Sequence, residues 1–295
     1  MTMLYDVSHR TRFHYAHPMR YSRCNLRLEP IRWAGQDLEG YVLNVIPRAT
    51  LTVMPPRGYC ANLVRMVVEQ ATNEIVIESR FRMRVNRTPP EILADDPDIA
   101  AVGAAARASN DLSSVGPVNY LAASPLIALE PEIAEWAAAE LAPDRGIVEA
   151  GYALARRIRD EFRYDGNATV TETPPIEAFR GRHGVCQDFA QVMIAGLRSH
   201  GLPAAYVSGY LRTIPPPGKP RLVGADATHA WVMLWCGPER GWLGFDPTNA
   251  CAMAGDHIVT AVGRDYADVA PIDGIFLGQG AQKIDVEVDV EPVED

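Results

Sequence analysis

The chain has 295 residues, of which 47% are hydrophobic and 22% charged, and its formal net charge is −9. This composition is typical of a globular protein with one large domain or two ordinary ones, and it excludes a disordered chain. No apolar run is long enough for a signal peptide or a membrane span, which predicts a cytoplasmic protein without a membrane partner.

Residues 1–87 consist of short runs in which apolar and polar residues partly alternate, broken by proline, glycine and asparagine. Many short strands without intervening helices predict a β-sandwich. Within this region Arg80, Arg82 and Arg84 alternate with apolar residues. That pattern indicates the solvated face of a strand rather than a nucleic-acid surface. We therefore expect a β-rich N-terminal domain over 1–87 and no nucleic-acid partner.

A proline pair at the end of this region stops the strand pattern, and residues 88–130 are predicted to be a linker and connecting segment. Residues 131–295 are predicted to form an α+β domain. Its periodicity predicts helices over 131–141, 148–162 and 186–200, a short helix within 175–184, strands over 204–212 and 283–290, and a hairpin over 228–248.

The chain has only five cysteines, which is an odd number, and no two of them have the CxxC spacing. A disulfide framework and a structural zinc site are therefore not expected, and free thiols suit a reducing compartment. One of them, Cys186, lies at the predicted start of a helix. A helix N-terminus stabilises a thiolate and supplies N–H donors to an oxyanion, so Cys186 is the predicted nucleophile. The other four lack this context and are interpreted as small buried residues.

A cysteine nucleophile needs a base, usually histidine, and a third group that orients the imidazole. His229 and Asp246 lie on opposite strands of the predicted hairpin. If the turn is centred on Gly237 and Pro238, the two residues face each other, close enough for the carboxylate to accept the imidazole N–H. A bulge would shift this register by one. His183 is a weaker candidate for the base because no acid lies near it in the sequence.

Three segments of the chain resemble a known protein family. The sequences GVCQDFAQVMIAGLRSHGLPAAYVSGY (184–210), DATHAWVMLW (226–235) and GWLGFDPTN (241–249) closely resemble the core of the bacterial transglutaminase-like superfamily. Residues 263–280 and the β-rich first 87 residues resemble the flanking regions of that family. The chain departs from the family pattern at 58–62, where a Gly-Asn turn is usual, and at Gln191, where histidine is common.

The resemblance implies a papain-like fold in which residues 131–295 are the catalytic domain, with a nucleophile helix on an antiparallel sheet. It carries the roles of nucleophile, base and orienter to Cys186, His229 and Asp246. The Cys186 N–H is expected to be one oxyanion donor, and Gln187 or Tyr164 the second. No cofactor and no metal are expected.

Family members include peptidases, other amidases and transglutaminases, and bacterial members are commonly labelled cysteine proteases. We expect hydrolysis of a peptide, protein or small-molecule amide through a thioester. The alternatives are transfer of the acyl group to an amine and a non-enzymatic peptide-binding module. Family analogy also suggests an ATP-grasp-type partner. The loop Thr213–Pro220 is a candidate rim of the site, and the oligomeric state is not predicted.

Overall fold

Six strands form the first part of the chain in the computed structural model, which describes residues 2–55, 59–213 and 227–293. They are β1 (Met3–Met19), β2 (Tyr21–Leu26), β3 (Gln36–Ile46), β4 (Thr50–Met54), β5 (Leu63–Val68) and β6 (Thr72–Val85). Their burial alternates along β1, β5 and β6, as expected for strands with one face in a core and one in solvent.

Helices and strands are mixed in the rest of the chain. Its helices are α1 (Ile99–Ala108), α2 (Pro131–Ala137), α3 (Ile147–Glu161), α4 (Pro175–Gly181), α5 (Cys186–Ser199) and α6 (Tyr266–Val269), with a 3₁₀ turn at Pro117–Tyr120. Its strands are β7 (Arg163–Tyr164), β8 (His183–Gly184), β9 (Ala204–Leu211), β10 (Ala227–Trp235), β11 (Trp242–Asp246), β12 (Cys251–Ala252), β13 (His257–Gly263), β14 (Ile272–Leu277) and β15 (Gln282–Val293). No described helix is long and apolar enough to cross a membrane.

Two four-stranded antiparallel sheets form the N-terminal sandwich. Their strand orders are β15-β1-β6-β3 and β14-β2-β5-β4. Buried residues from both sheets make one core, including Met19, Leu26, Met66 and Ile77. The predicted sandwich is confirmed.

The last two strands of the chain belong to this sandwich by their pairing. β15 pairs with β1 along its length, and β14 pairs with β2. The sequence pattern assigned them to the second domain because alternation predicts a strand but carries no information about its partner. Residues 272–293 thus complete the N-terminal sheets.

The second domain is built on a five-stranded antiparallel sheet with the order β12-β11-β10-β9-β13. Helix α5 packs against β9 and β10, and the side chains between them form the largest core cluster. This arrangement confirms the predicted α+β class with a helix packed on an antiparallel sheet. The helix is buried almost all round, which its apolar sequence requires.

Helix α1 lies within the segment predicted to be a linker. Asp98 caps it, since its Oδ1 accepts the N–H of Ala101 at 2.7 Å. The helix is rich in alanine and buries only Ile99, Val102, Gly103 and Ala106. Such a short apolar stripe gives a weak periodic signal, which explains why the sequence pattern did not reveal it.

The hairpin register differs from the predicted one by two residues. Val232 pairs with Phe245 and Trp235 with Trp242, so the turn is centred one residue later than Gly237-Pro238. The connection between β10 and β11 is longer than a tight turn centred on Gly237 and Pro238. Within it, the Gly241 N–H donates to the carbonyl of Gly237 at 2.8 Å. A shift of two residues keeps every side chain on its predicted face, because side chains alternate with a period of two.

The sandwich also packs against the five-stranded sheet. One cluster joins Val7, Phe81 and Val288 of the sandwich to Tyr210 of β9 and Ile258 of β13. The long strands β1 and β6 therefore contribute to two cores, while β15 contributes to the one shared with the second domain. This contact fixes the sandwich beside the end of the sheet where the candidate site lies.

Candidate active site

The first turn of α5 places the Cys186 thiol. Cys186 is the first helical residue and is half-buried. Asp188, in the same turn, accepts the N–H of Val185 at 2.8 Å and the hydroxyl of Thr169 at 2.6 Å. A Cβ on Gly184 would lie 2.5 Å from the Asp188 carboxylate, so glycine is required for this close approach. The helix start is thereby held rigidly, with its N–H groups next to Cys186.

His229 lies between the cysteine and a buried carboxylate. Its Nε2 is 2.8 Å from Asp246 Oδ2, and Cys186 lies close enough to the ring to raise its pKa. Burial alone would lower the pKa of His229, but the hydrogen bonds and charges of Asp246 and Cys186 raise it above its ordinary value. Burial would raise the pKa of Asp246, but hydrogen bonds from His229 and His257 lower it strongly. The pair therefore favours an imidazolium beside a carboxylate.

Both oxygens of the fully buried Asp246 carboxylate accept hydrogen bonds. Oδ1 accepts the backbone N–H groups of Thr248 at 2.9 Å and Asn249 at 3.2 Å. Oδ2 accepts the Asn249 side-chain amide at 2.7 Å, besides His229 at 2.8 Å and His257 at 3.3 Å. A buried carboxylate with this many donors stays ionised and keeps one orientation. The tight turn that follows β11 therefore holds the acid.

His257 is a member of the site that sequence reasoning missed. It lies on β13, at the far edge of the sheet from β11, and the connection from β12 brings its ring to Asp246. Its Nδ1 accepts the N–H of Ala254 at 3.3 Å, so Nε2 carries the proton that Asp246 accepts. Because the Ala254 N–H engages Nδ1, His257 presents Nε2 as a donor that orients Asp246. The only hint of this contact in the sequence is a histidine eleven residues after Asp246.

Trp231 covers the histidine pair. It is fully buried, and its ring centroid lies 6.0 Å from that of His229 and 5.2 Å from that of His257. A Cβ on Gly209 would come within 2.5 Å of this indole, so the ring needs a glycine beneath it. Trp231 thus packs beside both imidazoles from within the core. Trp242 instead packs against Tyr120, with centroids 5.1 Å apart.

The other four cysteines have surroundings that keep them protonated. Burial raises the pKa of Cys24, Cys60 and Cys236. Burial and the nearby Asp246 charge raise the pKa of Cys251 to about 12. A thiol must ionise before it acts as a nucleophile. Cys186 differs from these four because its proximity raises the pKa of His229.

The two predicted oxyanion donors differ in their environment. The Gln187 amide donates to the carbonyl of Thr171 at 2.8 Å, which directs it away from the helix start. Tyr164 is 55% exposed. Partial burial, and then the negative charges of Cys186 and Asp188, raise its pKa, so its hydroxyl keeps its proton beside the thiol. His183, the weaker candidate base, lies near Asp188 rather than His229.

Asp246, Cys251 and His257 bring ligand atoms within 4.8 Å of one another, a spacing that a metal ion could bridge. The carboxylate oxygens already accept the donors described above, and the His257 Nδ1 accepts a backbone N–H. A metal there would have to displace the hydrogen bonds that hold His229. The predicted rim falls mostly outside the described residues, since 214–220 are not among them.

The second domain is thus an α+β domain. A thiol lies at the start of one helix, and an imidazole–carboxylate pair lies on the adjacent sheet. The transglutaminase-like superfamily matches residues 134–247. The bacterial transglutaminase-like N-terminal region matches residues 5–84. The chain belongs to the transglutaminase-like superfamily, and the resemblance seen in the sequence is confirmed.

Relatives in other organisms extend the comparison. An uncharacterized protein of Mycobacterium tuberculosis is 36% identical over 302 residues, which cover 99% of this chain and 94% of the relative. A protein-glutamine gamma-glutamyltransferase of Pseudomonas aeruginosa is 36% identical over 108 residues, covering 34% of this chain and 16% of that protein.

A solved structure shares the whole fold. The crystal structure of "a Putative Cysteine Protease" from Cytophaga hutchinsonii has a TM-score of 0.76 and 18% identity, and the match covers 100% of this chain and 92% of that one. At this identity the likeness establishes the fold, including the sandwich and its attachment to the second domain.

Proposed function

We propose that the protein is a cysteine-dependent amide hydrolase that acts on peptides or related amides through a thioester. The observation that carries this proposal is the 2.8 Å contact between His229 and the buried Asp246, with Cys186 near enough to His229 to raise its pKa. A nucleophile, a base and an orienting acid in this order are the requirement for covalent catalysis at an acyl group.

His229 takes the proton of the Cys186 thiol, the sulfur attacks the amide carbonyl carbon, and the carbonyl oxygen takes up the negative charge. The Cys186 N–H at the helix start, and the Tyr164 hydroxyl, are the proposed donors to that oxygen. His229 then gives its proton to the leaving amine as the C–N bond breaks. Water attacks the thioester, His229 removes its proton, and the acid product leaves Cys186 free.

Replacing the thiol is the direct test of this proposal. Cys186→Ala should abolish product formation from a peptide library, while Cys60→Ala, in which a half-buried thiol away from the histidine pair is removed, should retain it. The assay is mass spectrometry of the library with each protein. Equal activity of the two variants would contradict the proposal, as would equal activity of Cys186→Ala and the parent.

Transfer of the acyl group to an amine is the second candidate. The similarity to a protein-glutamine gamma-glutamyltransferase over 108 residues favours it. Both reactions share the thioester, so the acceptor alone distinguishes them. In the same assay with added primary amine, we expect hydrolysed products to dominate; a majority of amine adducts at modest amine concentration would favour transfer.

A further inference from the structure

A cavity of about 200 Å³ lies between the sandwich and the catalytic sheet. Phe13 of β1 and Ile284 and Val286 of β15 form its sandwich side. These residues lie on one face, since Phe13 pairs with Ile284 in the β1–β15 ladder. The opposite side includes Thr228 and Tyr266 of the second domain. The cavity is therefore built by both domains.

The cavity adjoins the candidate active site at Tyr266, which is one of its lining residues. The Tyr266 hydroxyl lies within the electrostatic reach of Cys186, and its ring packs against Tyr206 with centroids 6.2 Å apart. A molecule whose carbonyl lies at Cys186 can therefore place an adjoining group in this cavity.

The described lining is mixed: five of its nine residues are apolar, and none is an aspartate, glutamate, lysine or arginine. Ile284 is 48% exposed and Val286 52% exposed, although each lies on the face that is buried further along β15. His9 is the nearest titratable group on β1, and its nitrogens are hydrogen-bonded by the hydroxyls of Tyr210 and Thr11. Its partners are neutral, and burial lowers its pKa to about 4, so it is uncharged at neutral pH.

We propose that this cavity is a specificity subsite that receives an apolar side chain flanking the amide carbonyl attacked by Cys186. The occupant is a branched aliphatic or aromatic residue of a peptide substrate. This inference rests on the proposed function and deepens it: the sandwich forms one wall of the substrate cleft, and its half-exposed apolar residues become covered when substrate binds. Desolvation of Ile284 and Val286 then favours apolar over polar residues.

Thiol-directed probes test the subsite without a known substrate. Chloromethyl ketones of N-acetyl-leucine and N-acetyl-glycine place a side chain on the acyl side of the carbonyl, and chloroacetyl-leucinamide and chloroacetyl-glycinamide place it on the amine side. In each case the Cys186 sulfur displaces chloride. Peptide mapping gives the alkylation rate at Cys186. We expect the leucine probe of one series to react on the order of 10- to 100-fold faster than its glycine partner.

Substitutions at the cavity lining test whether the preference for leucine over glycine arises in this cavity. The double variant Ile284→Ser and Val286→Ser should reduce the leucine-to-glycine ratio at least fivefold and leave the glycine rates unchanged. Val286→Trp, which fills the cavity, should do the same by steric exclusion. Val53→Ser, on a residue of β4 that is 82% exposed, is the matched control and should keep the parent ratio.

The outcomes separate this inference from the proposed function. Iodoacetamide has no side chain to place, so fast labelling of Cys186 by it reports the nucleophile alone. If iodoacetamide labels Cys186 rapidly but neither series prefers leucine, or the preference survives both wall variants, the subsite is wrong and the proposed function stands. If Cys186 is labelled no faster than the other four thiols, both are overturned.

Discussion

Two buried histidines on either side of the domain contact have opposite electrostatic properties. His9, on the sandwich, is 2% exposed and contacts the hydroxyls of Tyr210 and Thr11 at 2.8 and 3.0 Å. His229, on the catalytic sheet, has a side chain that is 9% exposed and contacts the Asp246 carboxylate at 2.8 Å. Burial lowers the pKa of His9 to about 4, whereas the carboxylate and thiol partners raise that of His229 despite its burial.

The difference shows that the charge of a buried histidine depends on its partners more than on its exposure. Hydroxyl groups satisfy hydrogen bonds but do not compensate the cost of burying a positive charge. A carboxylate does compensate it, and the imidazolium is then available to protonate a leaving group. The same side chain therefore serves packing in one region and proton transfer in the other.

Removing the carboxylate should produce the largest effect. We expect Asp246→Ala to reduce kcat by about 10³-fold, because His229 then loses its orienting acceptor. Asp246→Asn keeps the shape without the charge and should cost less. Its alkaline limb of activity should move to lower pH, since the carboxylate is what raises the pKa of His229.

The pH–rate profiles of the parent and the Asn variant provide the measurement, with circular dichroism as the control for folding. An Ala variant with more than a tenth of the parent kcat would contradict the assignment of Asp246.

Titration of His9 should give the next largest effect. Its pKa is lower in the folded state, about 4, than the ordinary 6.5 of the unfolded chain. The unfolded state thus binds more protons between these values. The stability that neutral His9 contributes is fully present above pH 6.5 and is lost progressively as the pH falls towards 4, by about 3 kcal/mol in all.

Urea unfolding of the parent and of His9→Gln between pH 4 and pH 7 tests this titration. The free energy of unfolding of the variant should depend less on pH over the window. Parallel curves for the two proteins would show that His9 does not titrate as its surroundings predict.

Loss of the His257 donor should have a smaller effect. His257→Phe removes one hydrogen bond to the ionised Asp246 and should reduce kcat about 10-fold with KM unchanged, because only the orientation of the acid changes. His257→Gln retains an N–H donor and should recover part of the activity. A Gln variant no better than Phe, or a change confined to KM, would argue against this positioning role.

A buried polar group without a partner should have the smallest effect. The Gln191 amide on α5 is fully buried, and neither polar atom has a hydrogen-bond partner in the described structure. Gln191→Met keeps the length and removes the polar atoms, so it should raise the free energy of unfolding by about 1 kcal/mol. Denaturant unfolding gives the value, and a decrease would indicate a partner such as a trapped water.

The contact between His229 and Asp246 could be predicted from the sequence because it depends only on whether the register shift is even or odd. The register between β10 and β11 is two residues away from the predicted one, yet His229 and Asp246 still lie on one face and meet. A one-residue error would have separated them. Helix α5 was equally predictable, since a long apolar run ends at Gly201.

Long-range pairing could not be predicted in the same way. His257 reaches Asp246 through a connection between opposite edges of the sheet, and nothing in local periodicity specifies that path. The partners of β14 and β15 are likewise more than two hundred residues away in the chain. Such contacts depend on tertiary packing, which alternation alone does not encode.

The return of β15 to β1 has a consequence for biosynthesis. Residues 282–293 leave the ribosome after all strands of the five-stranded sheet, so β1 can pair with its outer neighbour only once that sheet has been synthesised. Pairings of such high contact order form slowly. We therefore expect a nascent chain that ends before β15 to contain the thiol, imidazole and carboxylate but to lack one wall of the cleft. Selectivity for an apolar side chain would then arise only after β15 has paired with β1.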